Sequence, residues 1–448
     1  MADSDARHVV VIVGGAVAGA EAAYQLAEKN VLCVVLEQND HPYGKIEDGL
    51  PRWHEKLREQ EKRKIDGKLS HPGIHFVPRT KLSQDLDLEE LRRWRPSAVV
   101  LANGAWRDRP LPLAGIDQFV GRGFYYQNAF VHWFNHYPEA GYRGPQLAPA
   151  DGAIVVGGGL ASLDVVKILM LETVSRALDG RGRHVDLYEL EQRGISKVLT
   201  ESGLTLADLG LKGCTLTYRR RAEDMPLAEP KEPAAQQQVE QARATRKKLL
   251  RLFMEKYLFN FQDQLVPVGY VSEDGCLAGL RLAATELQGN RVRVLPGTDR
   301  RLLSPLTVSS IGSIPEPIPG VPMEGEVYRF KDEQTGEMDG LDGVFAVGNA
   351  VTGKGNILVS ARHGKLVSQH MLESYLLGTG SGYEEVLTDA AAEARSRVRA
   401  VAERLAGQPP LPAERVTGIL SRVKAFQARV GYSGDYTTWI NTVRSKSG

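Results

Sequence analysis

The chain has 448 residues, of which 42% are apolar and 25% charged, with a formal net charge of +1. That length exceeds what one compact core serves and implies two or more lobes, while the near-neutral balance gives no bulk attraction for nucleic acid or an anionic membrane. Cys33, Cys214 and Cys276 stand apart, with no CxxC pair and no Cys/His cluster, which argues against a redox disulfide, a structural zinc and an intrinsic iron–sulfur cluster.

In chain order, Val9 to Val13 is a continuous β-branched run, the pattern of a strand buried on both faces of a parallel sheet. Gly14 and Gly15 turn the chain, Ala20 to Glu28 reads as helix, and Val31 to Leu36 as the next strand. Ala98 to Leu101 is another buried strand, closed by Asn103-Gly104-Ala105. A second strand–turn–helix unit starts at Ala153 to Val156, turns at Gly157-Gly158-Gly159 and continues as a helix from Ser162 to Leu171. Two such units so far apart indicate two nucleotide-binding folds, not a repeat array. The stretch from Glu229 to Glu255 reads as polar surface helix, and Val344 to Val347 as a strand running into Gly348-Asn349. From about Ser381 the chain is a charged, alanine-rich helical tail interrupted at Gln408-Pro409-Pro410. The fold expected is α/β: two Rossmann-like dinucleotide-binding domains, the second inserted into the first, plus a C-terminal helical extension. No stretch has a signal-peptide pattern or the length of a membrane span, so a cytoplasmic location is expected.

A pyrophosphate needs exposed backbone N–H groups at a helix N-terminus and no side chain in its path. Gly14, Gly15 and Gly19 supply this frame, with Ala16 where a middle glycine is usual. Glu37 ends the following strand 23 positions after Gly14 (37 − 14), where a carboxylate bonds ribose hydroxyls and suits FAD or NAD. In the second turn Gly157 and Gly159 hold the glycine positions, Leu160 and Ala161 follow, and Ser162 takes the third. After the strand Cys214 to Thr217 comes Tyr218-Arg219-Arg220-Arg221; guanidinium groups at a strand end suit the 2′-phosphate of NADP(H). Leu187-Tyr188-Glu189, in the segment Asp186 to Glu191, offers a competing strand end of NAD type. The histidines show no metal-ligand spacing, so no metal centre is expected.

Taken together, these segments resemble the adrenodoxin reductase and ferredoxin–NADP reductase branch of the glutathione-reductase-fold flavoproteins, with a secondary likeness to the glutamate synthase small subunit. The resemblance rests on several motifs: His41 to Ile46; Gly49-Leu50-Pro51 with His54; Asn128 to Asn135; Gly157 to Asp164; Tyr218 to Pro226; Ser309 to Gly312; and Tyr436 to Trp439. It implies FAD in residues 1–104 and 312–380, NADP(H) in 105–311 and a helical extension over 381–448. It further implies hydride transfer from the nicotinamide to the flavin and electron delivery to a ferredoxin or flavodoxin-like protein. Gly44, Lys45 and Ile46 would lie over the flavin; Gly104, Gly348, Asn349, Gly355, Asn356 and Ile357 would line its ring and ribityl chain. Gly353 and Lys354 belong to that same run. Where Asn349 stands the family usually has a tryptophan or an aspartate. His54 and Asp164 match positions near the nicotinamide and would position it, and Glu223, Glu229 or Glu232 could approach it. Alternatives are an electron-input subunit of a larger oxidoreductase and a non-catalytic FAD-binding sensor. Homodimer formation, with the tail packed in a dimer or on its own first domain, is left open.

Overall fold

The computed structural model describes residues 8–227, 236–289, 291–352 and 381–447. The chain opens with β1 (Val9–Val13), α1 (Val17–Ala27), β2 (Leu32–Leu36), α2 (Lys45–Asp48), α3 (Glu55–Leu69), β3 (Ile74–Val77), α4 (Leu88–Arg93) and β4 (Ala98–Leu101). Every residue of β1 and β2 is buried, which is why both read as unbroken apolar runs instead of alternating ones. β1 pairs in parallel with β2 and β4, and β2 with β3.

After β4 the chain leaves this sheet through β5 (Arg107–Asp108) and builds a second one. Its members are β6 (Phe124–Tyr126), α5 (Gln127–His136), β7 (Ile154–Gly157), α6 (Leu160–Asp179), α7 (Leu187–Arg193), α8 (Ile195–Glu201), β8 (Thr215–Thr217), α9 (Gln236–Tyr257) and β9 (Asn260–Gln262). An antiparallel sheet of β10 (Leu265–Glu273), β11 (Cys276–Gln288), β12 (Arg291–Val294) and β13 (Arg300–Leu303) follows, then β14 (Thr307–Ser310). The order β6-β14-β7-β8-β9 is parallel throughout. The returning strand β15 (Ser313–Ile314) pairs antiparallel with β5, so the outgoing and incoming chains run side by side between the sheets.

The remaining strands are β16 (Met323–Glu324), β17 (Val327–Tyr328), β18 (Phe330–Asp332), β19 (Glu337–Met338) and β20 (Val344–Ala346). β20 rejoins the first sheet in parallel beside β4, giving the order β18-β19-β20-β4-β1-β2-β3. It is followed by α10 (Asn349–Thr352), α11 (Ser381–Ala406), α12 (Ala413–Arg429) and α13 (Tyr436–Ser447).

The tail packs on its own first lobe. In α11, Arg395 pairs with the buried Glu21 of α1 at 3.1 Å. In α12, Gln427 donates to the Phe76 carbonyl of β3 at 2.8 Å. In α13, the Tyr436 hydroxyl donates to Asp66 at 2.8 Å, Arg444 donates to Asp66 at 2.9 Å, and the Trp439 indole donates to the Asp40 carbonyl at 3.0 Å.

Two expectations are corrected. Asp186 to Glu191 forms no strand: Asp186 caps α7, accepting from the Tyr188 amide at 2.8 Å. Its short side chain satisfies a helix-end donor, and the run turns helical. The polar stretch before Tyr257 is not simply a surface helix, because Leu249, Leu250, Phe253 and Tyr257 of α9 are buried. Its apolar residues share one face at helical spacing, which average polarity hides.

Candidate functional site

The first turn works by excluding side chains. Gly14 has φ +101°, a region closed to most other residues, and a Cβ there would lie 2.6 Å from the Ala102 carbonyl oxygen. A Cβ on Gly19 would overlap the Gly14 carbonyl. Both glycines let α1 press against the C-terminal ends of β1 and β4. Ala16, at the N-cap, offers no side-chain hydrogen bond, and no acidic residue sits in the first turn of α1. The helix terminus thus keeps its partial positive charge without a protein carboxylate on the first turn. The Ala16 methyl faces Gly44, where a Cβ would approach it to 2.9 Å at φ +52°; the departure from glycine at 16 is absorbed by a glycine at 44.

Glu37 lies at the end of β2 and is buried, accepting from the Gly15 amide at 2.9 Å and the Asn39 amide at 2.9 Å. Burial pushes its carboxyl up to about 7, against the pull of those backbone donors. Gly14, Ala16, Glu37 and Gly44 line one cleft together with Asn103 and Trp106. An adjoining cleft is lined by Ala16, Gly44, Lys45, Ile46, Gly104, Trp106, Gly348 and Asn349, with Leu387 and Ala390 of α11 across from them. Gly104 and Gly348 take φ of +68° and +66°, and a Cβ on Gly348 would meet the Ala18 methyl at 2.7 Å. Gly353, Lys354, Gly355, Asn356 and Ile357 lie outside the described residues.

Lys45 reaches over the Trp106 ring, 5.7 Å from its centroid, and donates to the Ser313 hydroxyl at 3.2 Å. Desolvation pulls its ammonium down to about 8, opposed by Asp108, whose own carboxyl burial raises to about 6. Asn128 ties these pieces together, donating to the Trp106 carbonyl at 2.8 Å and to Ser313 at 3.2 Å, while its amide donates to Asp108 at 3.2 Å. The lead-in to the second lobe is therefore bonded to the crossover between the sheets.

The second turn repeats the logic. Gly157 ends β7, and a Cβ there would overlap both the Ser162 hydroxyl and the Ser310 carbonyl. Ser162 is fully buried and donates to Ser310 at 3.0 Å, so its hydroxyl binds α6 to β14. Gly159 caps α6 without a side-chain bond, and Leu160 and Ala161 open a first turn free of acidic residues. The Tyr218 ring occupies the space beside Gly158 that a Cβ would fill. Because β8 pairs with β7 in parallel, Arg219 and Arg220 follow a strand end next to this turn, Arg219 exposed and Arg220 half-buried. Glu223 is held by Arg221 at 3.0 Å and by Lys247; Glu229 and Glu232 lie outside the described residues.

His54 and Asp164 line neither cleft; both are buried and both act electrostatically on Lys167 or feel it. Burial, then Lys167 and Arg58, holds the His54 imidazole well below its ordinary range, so it is neutral. Lys167 itself is buried against Glu191, 4.3 Å from the Trp53 ring centroid. Sequence reasoning missed Lys167, although a lone lysine in the apolar run Val165 to Leu171 is a usable signal. It also missed Trp106, whose only signal is an aromatic directly after a glycine loop. Two histidines that the sequence did not single out as a pair, His132 and His136, stand one turn apart on α5 and meet Asp48.

Two sheets with parallel cores, each opening through a glycine turn into a helix without a side-chain cap, form the architecture of a protein that binds two dinucleotides. Residues 8–196 match the pyridine nucleotide-disulphide oxidoreductase family. The chain is 26% identical over 348 residues to the mitochondrial NADPH:adrenodoxin oxidoreductase of Arabidopsis thaliana, spanning 70% of this chain and 69% of that one. It is 23% identical over 370 residues to the NADPH glutamate synthase small chain of Azospirillum brasilense, spanning 80% of this chain and 64% of that one. The fold is similar to that of Mycobacterium tuberculosis FprA solved in complex with NADPH, with a TM-score of 0.64 and 18% identity over 94% of this chain and 90% of that one. Along most of its length the chain is thus similar to adrenodoxin reductases, and over part of it to a ferredoxin reductase, and it shares the two-lobed fold of FprA. No helix among the described residues is long and apolar enough to cross a membrane.

Proposed function

We propose that this chain moves a hydride from NADPH to FAD and then hands electrons singly to a small ferredoxin- or flavodoxin-type protein. The observation that carries this reading is the pair of glycine turns, each ending a buried parallel strand and each leading into a helix with no side-chain cap. When bound, the flavin supplies the conversion of a two-electron donor into one-electron steps.

The residues divide the work. Gly14, Gly15, Ala16 and Gly19 hold the first helix terminus toward the FAD pyrophosphate, and Glu37 accepts from its ribose. Gly44, Ile46, Gly104, Gly348 and Asn349 wall the flavin cleft. Lys45, whose pKa of about 8 keeps it mostly protonated at neutral pH, places positive charge beside the wall where negative charge develops on reduction. Gly355, Asn356 and Ile357 join this wall on the sequence resemblance alone. Gly157, Gly159, Leu160 and Ala161 receive the NADP(H) pyrophosphate, Ser162 fixes their helix, and Arg219 and Arg220 take the 2′-phosphate. His54 and Asp164 are positioning residues that act through the buried Lys167 network, since hydride transfer needs alignment more than a strong acid or base. The domains follow as FAD over 1–104 and 312–380, NADP(H) over 105–311 and a helical extension over 381–448, in a cytoplasmic protein.

Turnover tests the acceptor. NADPH-dependent cytochrome c reduction by the FAD-loaded protein should rise many-fold when a [2Fe–2S] ferredoxin or a flavodoxin is added. A rate that neither carrier changes would remove the electron-delivery step from this reading.

A further inference from the structure

We propose that Asp48, His132 and His136 form a binding site for a divalent transition-metal ion of the zinc class, joining α2 to α5. The inference does not rest on the hydride-transfer reading. Residues four apart on a helix share a face, and the His132 and His136 rings lie with centroids 4.5 Å apart. Asp48, the last residue of α2, projects its carboxylate at both. Its Oδ1 is 3.0 Å from His136 Nε2 and 3.8 Å from His132 Nε2, and the three ligand atoms all fall within 4.8 Å of one another. Tetrahedral zinc with ligand bonds near 2.0–2.1 Å sets neighbouring ligand atoms about 3.4 Å apart, and the two measured separations straddle that value.

The surroundings favour a site over a chance encounter. A metal-bound histidine is oriented by an acceptor on its other ring nitrogen, and His136 Nδ1 lies 2.7 Å from the Glu139 carboxylate. The two helices are also fixed to each other beside the triad: Asn135 donates to the Glu47 carbonyl at 2.9 Å and to the Leu50 carbonyl at 3.1 Å. Arg58 donates to the same Glu47 carbonyl at 2.9 Å. The backbone segments that carry the ligands are therefore held together by bonds that do not involve the ion. The His132 side chain is 50% exposed, which leaves a path for the ion and a fourth position for water. Since α2 also carries Lys45 and Ile46, a bound ion would brace the segment lining one cleft against the lobe that holds α5. The competing account is a plain ion pair, a protonated His136 between Asp48 and Glu139, in which His132 has no part.

Zinc titration of the tag-free full chain separates the two. Cys276 is exposed, so a Cys276→Ser background removes a competing thiol. Zinc chloride titrated against a chromophoric chelator should show one ion bound per chain, with a rise in melting temperature. His132→Ala and Asp48→Asn should each weaken binding by about tenfold or more and abolish the rise. His132 is half exposed, so its variant keeps the fold, which circular dichroism verifies. No uptake by the parent protein, or equal affinity in the parent and both variants, overturns the proposal.

Discussion

Glu37 illustrates how one carboxylate can serve a ligand at a cost to the fold. Its burial raises the folded-state pKa to about 7 from an ordinary 4.5, so between those values the folded chain holds a proton that the unfolded chain has released. Stability therefore falls as pH rises through that window, by roughly 3–4 kcal/mol. Glu37→Gln should flatten this slope in flavin-free protein, measured by urea unfolding at about pH 5 and about pH 8, and should weaken flavin retention. Identical pH slopes for the two proteins would mean the carboxylate is solvated by other means. At the other turn, Arg220→Ala should weaken NADPH binding by roughly 1.5–3 kcal/mol, the worth of a charge-assisted hydrogen bond, and leave NADH binding nearly unchanged. Equal losses for both nucleotides would assign Arg220 a structural role. At this scale the sequence is most legible where a residue type has only one use. Gly14 and Gly19 are readable because no other side chain fits. Lys167, Trp106 and the His132–His136 pair are not, because their meaning depends on neighbours brought from distant segments: Glu191 for Lys167, Lys45 for Trp106 and Asp48 for the histidines.

Among the elements, those buried on both faces are recognisable beforehand. β1 and β4 span the apolar runs read from the sequence, Val9–Val13 and Ala98–Leu101, since a continuous β-branched run has few other uses. Helix ends are less legible. α6 begins at Leu160, two residues before the expected Ser162, and extends to Asp179. α7 shows local chemistry overriding appearance, because Asp186 caps a helix in a stretch that otherwise resembles a strand end. The docking of α13 is invisible to sequence patterning, for it combines the Asp66 carboxylate, shared by Tyr43, Tyr436 and Arg444, with the bond from Trp439 to the Asp40 carbonyl. Tyr436→Phe should cost about 1–2 kcal/mol in urea unfolding through the lost bond to this partly buried carboxylate. No loss would show that Arg444 and Tyr43 satisfy Asp66 unaided.

For the whole molecule, the arrangement that matters is one sheet interrupted by another. The chain leaves the first sheet after β4 and rejoins it at β20, directly beside β4. Between the sheets the outgoing and returning segments pair as β5 and β15, with the Arg109 amide donating to the Gly312 carbonyl at 2.9 Å. This double crossing gives two nucleotide folds a short, ordered connection, and Asn128 bonds to it at Ser313 and to Trp106, which lines both clefts. The two strand–turn–helix units made this plan legible in outline. The tail's place on the first lobe was not legible, because packing partners so distant in sequence leave no periodic trace.

The most direct measurement is anaerobic spectroscopy of the purified protein loaded with FAD, followed as NADPH and then NADH are added in separate runs. The account predicts that the chain retains FAD, that NADPH bleaches the oxidised flavin band at catalytic speed, and that NADH does so far more slowly. A chain that takes up no flavin when supplied with it, or a bound flavin that NADPH leaves oxidised, would contradict it.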